Sequence, residues 1–217
     1  MRPKLGILAN MIIRQSPQAL EEAARIILAG GLIGFRTDTF YGLGADPLNP
    51  LAVRRTRHLK SREETKPILL LISDYDGVAH FIKDPSDLFL SMASLHWPGP
   101  LTLVGNAHPG LLEELTAGSG TIGLRLPNDE DVRALVRACG GALTATSANP
   151  SGGLPARTAR DVEAYFGAGI DLIIDGGEVT VMESSTVLDL SGPEPRLIRE
   201  GAISRKALNE KLVADPP

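Results

Sequence analysis

The sequence predicts an α/β fold: a mostly buried mixed sheet flanked by helices in a single domain. Three observations point there. Short apolar runs of strand length alternate with amphipathic helical stretches along the whole chain. Residues 67–72, Pro-Ile-Leu-Leu-Leu-Ile, form a continuous apolar run of the kind buried on both faces. The 23 glycines and 16 prolines are spread as punctuation, and no linker or repeat divides the 217 residues.

Each element has its own local reason. Residues 1–15 read as an edge strand or a loose terminus, since Asn10 breaks the apolar stretch and no cleavage site follows. Ser16 caps a helix with Pro17 in its first turn, and Leu20, Ala23, Ala24, Ile27 and Leu28 form its stripe. Gly30 and Gly31 stop it, and residues 31–35 follow as a buried strand. Residues 37–44 read as a turn rich in hydroxyls and glycine. Asn49-Pro50 opens a second helix with Val53 inward and Arg54, Arg55 and Arg57 outward. The run 67–72 is a strand. Residues 86–95 are a helix ending at the rigid turn Trp97-Pro-Gly-Pro100. Strands 101–104 and 121–126 precede a helix over 129–139. Strand 142–146 runs into a long polar loop, 147–153. Thr158 and Asp161 begin a helix as a capping box. Strands 171–174, 186–190 and 196–199 and a last helix from Ser204 complete the chain, whose end is frayed.

Composition bounds the function. Apolar residues make up 43%, enough for a core; aromatics are only 4%, so the core is aliphatic and a base-stacking platform is disfavoured. With 22 basic against 26 acidic residues, bulk basicity cannot hold nucleic acid, though a local patch can. The one cysteine, Cys139, excludes an internal disulfide and a cysteine zinc site, suits a reducing cytoplasm, and reads as a core residue. No stretch approaches the ~18 apolar residues of a membrane span.

Several common sites are absent. There is no phosphate-loop motif, and Gly42-Leu-Gly44 and Gly167-Ala-Gly169 lack a dinucleotide motif's third glycine. His58, His80, His96 and His108 are isolated, so no metal site is expected. No Gly-x-Ser-x-Gly elbow occurs, and Ser147-Ala-Asn149 has no Ser-x-x-Lys companion.

Five groups remain. Lys60, Arg62 and Lys66 cluster after the second helix; they suit a polyphosphate, or else solvate a helix end. Thr37-Asp38-Thr39 follows a buried strand; it suits a small polar ligand, or else is a tight turn in which Asp38 bonds its own backbone. Ser147 and Asn149 alternate to one side of their loop, fit for phosphate or a purine edge. Arg125 sits in a buried strand pattern and needs an anion, either a core carboxylate or a substrate. The fifth is residues 183–187 with Arg199.

Taken in order, the motifs are T-D-T-x-Y-G-L-G, K-x-R-x-x-x-K-P, W-P-G-P-L-T, T-I-G-x-R-x-P, T-S-A-N-x-S-G, D-x-I-x-D-G-G, S-T-V-x-D-L and R-x-G-A-I-S. Together they resemble the YrdC/TsaC-like threonylcarbamoyl-AMP synthases over residues 16–204. Each motif is weak alone; eight in order are specific.

The resemblance implies a single YrdC-like catalytic domain over residues 16–204, a twisted, mostly buried mixed sheet flanked by helices with a basic concave ligand cavity, and 1–15 and 205–217 as terminal segments. It implies condensation of L-threonine, bicarbonate and ATP to L-threonylcarbamoyl-AMP and pyrophosphate, with Mg2+ expected on the phosphates. A tRNA threonylcarbamoyl transferase complex would use the product downstream. It further implies that Lys60, Arg62, Lys66, Thr121, Ser147, Asn149 and Arg199 bind nucleotide, and that Thr37, Thr39, Arg125 and Ser185 bind threonine. Lys60, Arg62 and Arg125 would carry the catalytic charge. Arg36, Leu71 and Pro155 depart from the family, which usually has proline, sometimes histidine and often serine there. Two-domain members also carry a C-terminal extension that this sequence lacks, so a closing segment is expected to be missing or short. Two alternatives share the fold: a double-stranded RNA binder, which would also take tRNA, and a paralogue making another carbamoyl-adenylate.

Overall fold

The computed structural model describes residues 11–60, 67–150 and 152–208. The chain begins with β1 (Met11–Arg14), α1 (Pro17–Leu28), β2 (Ile33–Phe35), β3 (Gly42–Gly44) and α2 (Pro50–Leu59). Next come β4 (Leu70–Ile72), α3 (Gly77–Phe81), α4 (Asp87–His96), β5 (Leu101–Asn106), α5 (Glu113–Thr116) and β6 (Thr121–Arg125). Then follow α6 (Glu130–Ala138), β7 (Ala142–Thr144), β8 (Thr146–Ser147), α7 (Ala159–Phe166), β9 (Leu172–Asp175), β10 (Thr186–Asp189) and β11 (Arg196–Arg199). Residues 205–208 form a helical turn.

The helix starts follow the local chemistry. The Ser16 hydroxyl accepts from the Ala19 amide 3.2 Å away. Thr158 and Asp161 satisfy each other's amides as a full capping box at the start of α7. In α1 the buried row is Ala19, Ala23 and Ile27, four residues apart, whereas Leu28 is 78% exposed. The stripe is therefore narrower than expected and turned by one position.

The expected single sheet is two mixed sheets. One runs β1-β9-β2-β3-β8 and the other β11-β10-β5-β6-β4-β7. Two assignments change as a result. The turn expected over 37–44 ends at Gly42, where β3 pairs antiparallel with β2 and with β8. The strand expected over 142–146 is two strands: β7 pairs with β4, and β8 pairs with β3. The switch occurs at Ala145, whose amide donates to the Leu69 carbonyl at 2.8 Å, just after the Thr144 amide reaches Ala45 at 3.0 Å. The alternation of side chains runs on through this point, so it leaves no mark in the sequence.

Three apolar clusters hold the layers. One packs α1 and α6 (Ala23, Ile27, Val132, Leu135) on Ile33, Phe35, Leu172 and Ile174 of one sheet and on Leu71 and Leu143 of the other. Cys139 is buried in it. Leu43, Val162 and Ile173 occupy the opposite face of the first sheet, so its central strands are buried on both sides. Leu70, Leu103, Leu124, Leu188, Phe89 and Trp97 fill the space behind the second. No helix among the described residues is long and apolar enough to cross a membrane.

Candidate functional site

A cavity of about 170 Å³ lies on the seam between the two sheets. The first sheet contributes the turn after β2 and the Thr146 and Ser147 positions of β8. The second contributes Leu69, Leu71, Arg125, Ser185 and Arg199, and Ala145 closes the gap between them.

Hydroxyls build the turn after β2. The Thr37 hydroxyl donates to the Phe40 carbonyl at 2.6 Å and accepts the Thr39 and Phe40 amides at 3.1 and 3.2 Å. Thr37, not Asp38, is thus the residue that closes the turn on its own backbone. Asp38 is free to reach elsewhere. Its carboxylate pairs with Arg125, and its second oxygen accepts the Asn128 amide at 3.1 Å. Of the two partners expected for Arg125, the protein therefore supplies a carboxylate of its own.

Arg125 is 4% exposed. Its Nη1 donates to Thr39 Oγ1 at 3.1 Å, Nε to the Gly99 carbonyl at 3.3 Å and Nη2 to Asp38. Each terminal nitrogen carries a second N–H beyond these bonds, and Arg125 lines the cavity. Burial pushes the Arg125 pKa down, Asp38 pulls it back up, and the nearby charge of Arg199 lowers it again.

Arg199 enters from β11. Its Nε and Nη2 donate to the Ser185 carbonyl at 3.1 and 2.8 Å, and Nη2 also reaches Ser185 Oγ at 3.1 Å. Among the described residues no carboxylate pairs with it, and desolvation lowers its pKa. Two guanidiniums thus face one cavity, and the carboxylate of Asp38 is bonded to one of them, Arg125, and to the Asn128 amide of the loop beyond. Gly201 permits the close approach of the segment after β11: a Cβ there would stand 2.2 Å from the Ser184 carbonyl oxygen.

At the other rim, Lys60 caps the end of α2 and is buried. Its ammonium donates to the Ser147 carbonyl and, at 3.2 Å, to Asn149 Oδ1. Ser147 Oγ donates to the same Asn149 oxygen at 2.6 Å, and the Asn149 amide holds the Gly153 carbonyl. Lys60, Ser147 and Asn149 form one connected unit, and Ser147 faces the cavity.

The structure therefore brings together Thr37, Thr39, Arg125, Ser147, Ser185 and Arg199 as cavity lining, with Lys60 and Asn149 directly behind Ser147. Thr121 stands at the far end of β6, four residues from Arg125 or about 13 Å along the strand, and its hydroxyl bonds Ser119 at 2.9 Å. Arg62 and Lys66 lie outside the described residues. Of the three departures, Leu71 is a wall of the cavity, whereas Arg36 turns to Asp129 at 3.2 Å and Pro155 does not line it.

Two supporting residues escape sequence reasoning. The Tyr41 hydroxyl donates to the Gly177 carbonyl at 2.9 Å and accepts the Gly176 amide, fastening the turn after β2 to the loop after β9. Burial, with Asp175 beside it, pushes the Tyr41 pKa up to about 12. The second, Thr102, is 1% exposed on β5, with its hydroxyl 3.0 Å from Ser185 Oγ. Both sit inside motifs visible in the sequence, T-D-T-x-Y and W-P-G-P-L-T, but no local pattern distinguishes them from core residues. Among the described residues no cluster of three or more His, Cys, Asp or Glu side chains could hold a metal ion.

The Sua5/YciO/YrdC family model, described as telomere recombination, matches residues 25–201. The chain belongs to this family. A threonylcarbamoyl-AMP synthase of Idiomarina loihiensis is 40% identical over 157 residues, covering 71% of this chain and 84% of that protein. A threonylcarbamoyl-AMP synthase of Pyrococcus abyssi is 32% identical over 97% of this chain, which spans 62% of that protein's length. The structure of P. abyssi Sua5 complexed with L-threonine superposes with a TM-score of 0.86 at 32% identity, covering 93% of this chain and 59% of that one. E. coli YciO, at 24% identity and a TM-score of 0.79, shares the fold of the Sua5/YciO/YrdC family.

Proposed function

We propose that this protein is a threonylcarbamoyl-AMP synthase, a nucleotidyltransferase that condenses L-threonine, bicarbonate and ATP. One observation carries the reading: a cavity of about 170 Å³ faced by two guanidiniums, of which, among the described residues, only Arg125 has a carboxylate partner. That volume is below the ~300–1,000 Å³ of pockets for drug-sized ligands and suits one small anionic molecule. The named relatives supply its chemical identity.

In this assignment threonine occupies the cavity. Its carboxylate and the carbamate formed on its nitrogen are shared between the second N–H groups of Arg125 and the Ser185–Arg199 pair. Thr37 and Thr39 shape the wall beside them, and Leu71 offers an apolar surface. The nucleotide lies along the rim at Ser147 and Asn149, with Lys60 bracing that loop. Arg62, Lys66 and Thr121 are the further nucleotide contacts this reading adds.

The amine first adds to bicarbonate-derived CO2, losing a proton. A carbamate oxygen then bonds to the α-phosphorus of ATP as the bond to pyrophosphate breaks. No protein nucleophile is needed; the protein positions two anions and offsets their charge. Mg2+ would be carried on the nucleotide phosphates, where it offsets their charge. The product then passes to a tRNA-modifying transferase in the cytoplasm.

The test is pyrophosphate release with each substrate omitted in turn. Release only when all three are present is the expected outcome. Equal turnover without threonine overturns the assignment.

A further inference from the structure

We propose that Thr102, which touches neither cavity nor ligand, is a positioning residue that makes Ser185 an obligate hydrogen-bond donor to a substrate oxyanion. The proposal rests on the threonine assignment of the cavity and adds to it a direction for one proton.

Start from what Thr102 can do. It is 1% exposed at the second position of β5, and Ser185 Oγ, 3.0 Å away, is the partner of its hydroxyl. Its other branch, the methyl, is aimed at Gly123 on β6, where an added Cβ would stand 3.2 Å from it. A side chain at position 123 would crowd the methyl. A β-branched side chain has few rotamers, so seating the methyl over Gly123 fixes the hydroxyl toward Ser185.

Next follow the protons. A guanidinium has donors and no acceptor, so the 3.1 Å contact between Arg199 Nη2 and Ser185 Oγ has Arg199 donating. The Thr102 proton is buried, and a buried O–H left without an acceptor is costly. Ser185 Oγ is the acceptor in reach, so Thr102 donates to it as well. A serine oxygen has two lone pairs, and both are now used. The Ser185 proton must therefore point away from Thr102 and Arg199. Ser185 lines the cavity, and that is the open direction.

The corner formed by Ser185 and Arg199 thus presents donors alone. It accepts a carboxylate or carbamate oxygen and repels an ammonium. A zwitterionic amino acid entering this cavity is oriented by it: the anionic end, or the carbamate once formed, goes to Ser185, and the cationic end faces away. Thr102 supplies none of the contact itself. It acts by removing the alternative in which Ser185 spends its proton inside the protein.

The experiment compares Thr102→Val, which keeps the methyl over Gly123 and deletes the hydroxyl, with Thr102→Ser, which keeps the hydroxyl. Ser185→Ala and the Thr102→Val/Ser185→Ala double variant complete a cycle. Threonine affinity is read by calorimetry, with and without bicarbonate, and KM for threonine and for ATP by pyrophosphate release. A thermal melt checks the fold of every variant. Thr102→Val is expected to lose about two- to tenfold in threonine affinity or KM, the scale of one neutral hydrogen bond, with the KM for ATP unchanged. Thr102→Ser restores most of it, and in the Ser185→Ala background Thr102→Val has no further effect. A loss confined to the samples with bicarbonate assigns the oxyanion as carbamate; a loss with threonine alone assigns it as carboxylate. Unchanged threonine binding in Thr102→Val, no recovery in Thr102→Ser, or independent losses in the cycle overturn the proposal. A wild-type protein that releases no pyrophosphate yet binds threonine in a Thr102-dependent way overturns the synthase assignment and leaves this one standing. A wild type that binds no threonine overturns both.

Discussion

Replacing Asp38 by asparagine keeps the size and one acceptor oxygen of the side chain but removes the charge facing Arg125. Arg125 is 4% exposed and Asp38 is the carboxylate bonded to it. Removing one partner of a buried ion pair costs about 3–5 kcal/mol, most of it the stranded charge. Two features soften that figure. The Asp38 side chain is 14% exposed, and Asn retains an acceptor for Arg125 or for the Asn128 amide. The expected loss is therefore about 2–3 kcal/mol. For a chain of this length each kcal/mol is about 2–4 °C in Tm, so Asp38→Asn should melt roughly 4–12 °C lower. Because the charge left behind is the cause, Arg125→Met should cancel part of the damage: the double variant is expected to be no less stable than Arg125→Met alone. Calorimetric melts of the four proteins at pH 7 check both statements. A shift for Asp38→Asn inside about ±0.5 kcal/mol, or strictly additive losses in the cycle, would refute the buried-pair account.

Three further outcomes follow from other contacts. Gly201→Ala places a Cβ against the Ser184 carbonyl oxygen, so β11 must shift; threonine binding should weaken more than Tm falls, checked by calorimetry beside a melt. Burial raises the Tyr41 pKa to about 12 from an ordinary value of 10.0. Its contribution to stability is thus complete below pH 10 and lost as the pH climbs toward 12. Denaturant titrations at pH 8 and 11 should show a smaller alkaline loss in Tyr41→Phe than in wild type. Burial pushes the Asp161 pKa up, but the Arg157 amide and the Thr158 hydroxyl and amide hold it below its ordinary value. Stability from this group is therefore present above the ordinary carboxylate pKa and lost as pH falls through the lowered one. Asp161→Asn should cost ~0.5–2 kcal/mol at pH 7, the range of a helix cap, with a gap that closes in acid melts.

What the sequence makes legible is local chemistry. Ser16, Asn49, Asp129 and Thr158 declare their helices because a cap is a contact within three residues. Arg125 declares itself by charge in an apolar strand. Its partner does not, since Asp38 lies 87 positions away and only the fold joins them. Strand β3 is opaque for the opposite reason: Gly-Leu-Gly has little strand preference, and it is extended because β2 and β8 flank it. The short helices α3 and α5 carry too few residues to show a period. The basic cluster after α2 is legible as chemistry, and of it Lys60 falls within the described residues, already committed to the Ser147–Asn149 loop. Thr102 looks like any buried β-branched residue until its hydroxyl is placed against Ser185.

The crossing at Ala145 turns the cavity into a joint between two plates. Thr39 and Ser147 stand on one plate and Arg125, Ser185 and Arg199 on the other, so whatever lies there is gripped from both sides. Its binding energy is then shared by elements that are far apart in the chain, and it adds to the apolar cluster under α1 and α6 and to the Arg125–Asp38 pair that already join the two sheets. An occupant works as mortar: it raises the cost of parting the plates by RT ln(1 + L/Kd), with L its free concentration. Parting the sheets along this seam breaks the bonds of Arg125 to Asp38 and Thr39 together with the grip on the occupant, so one guanidinium serves both the fold and the site.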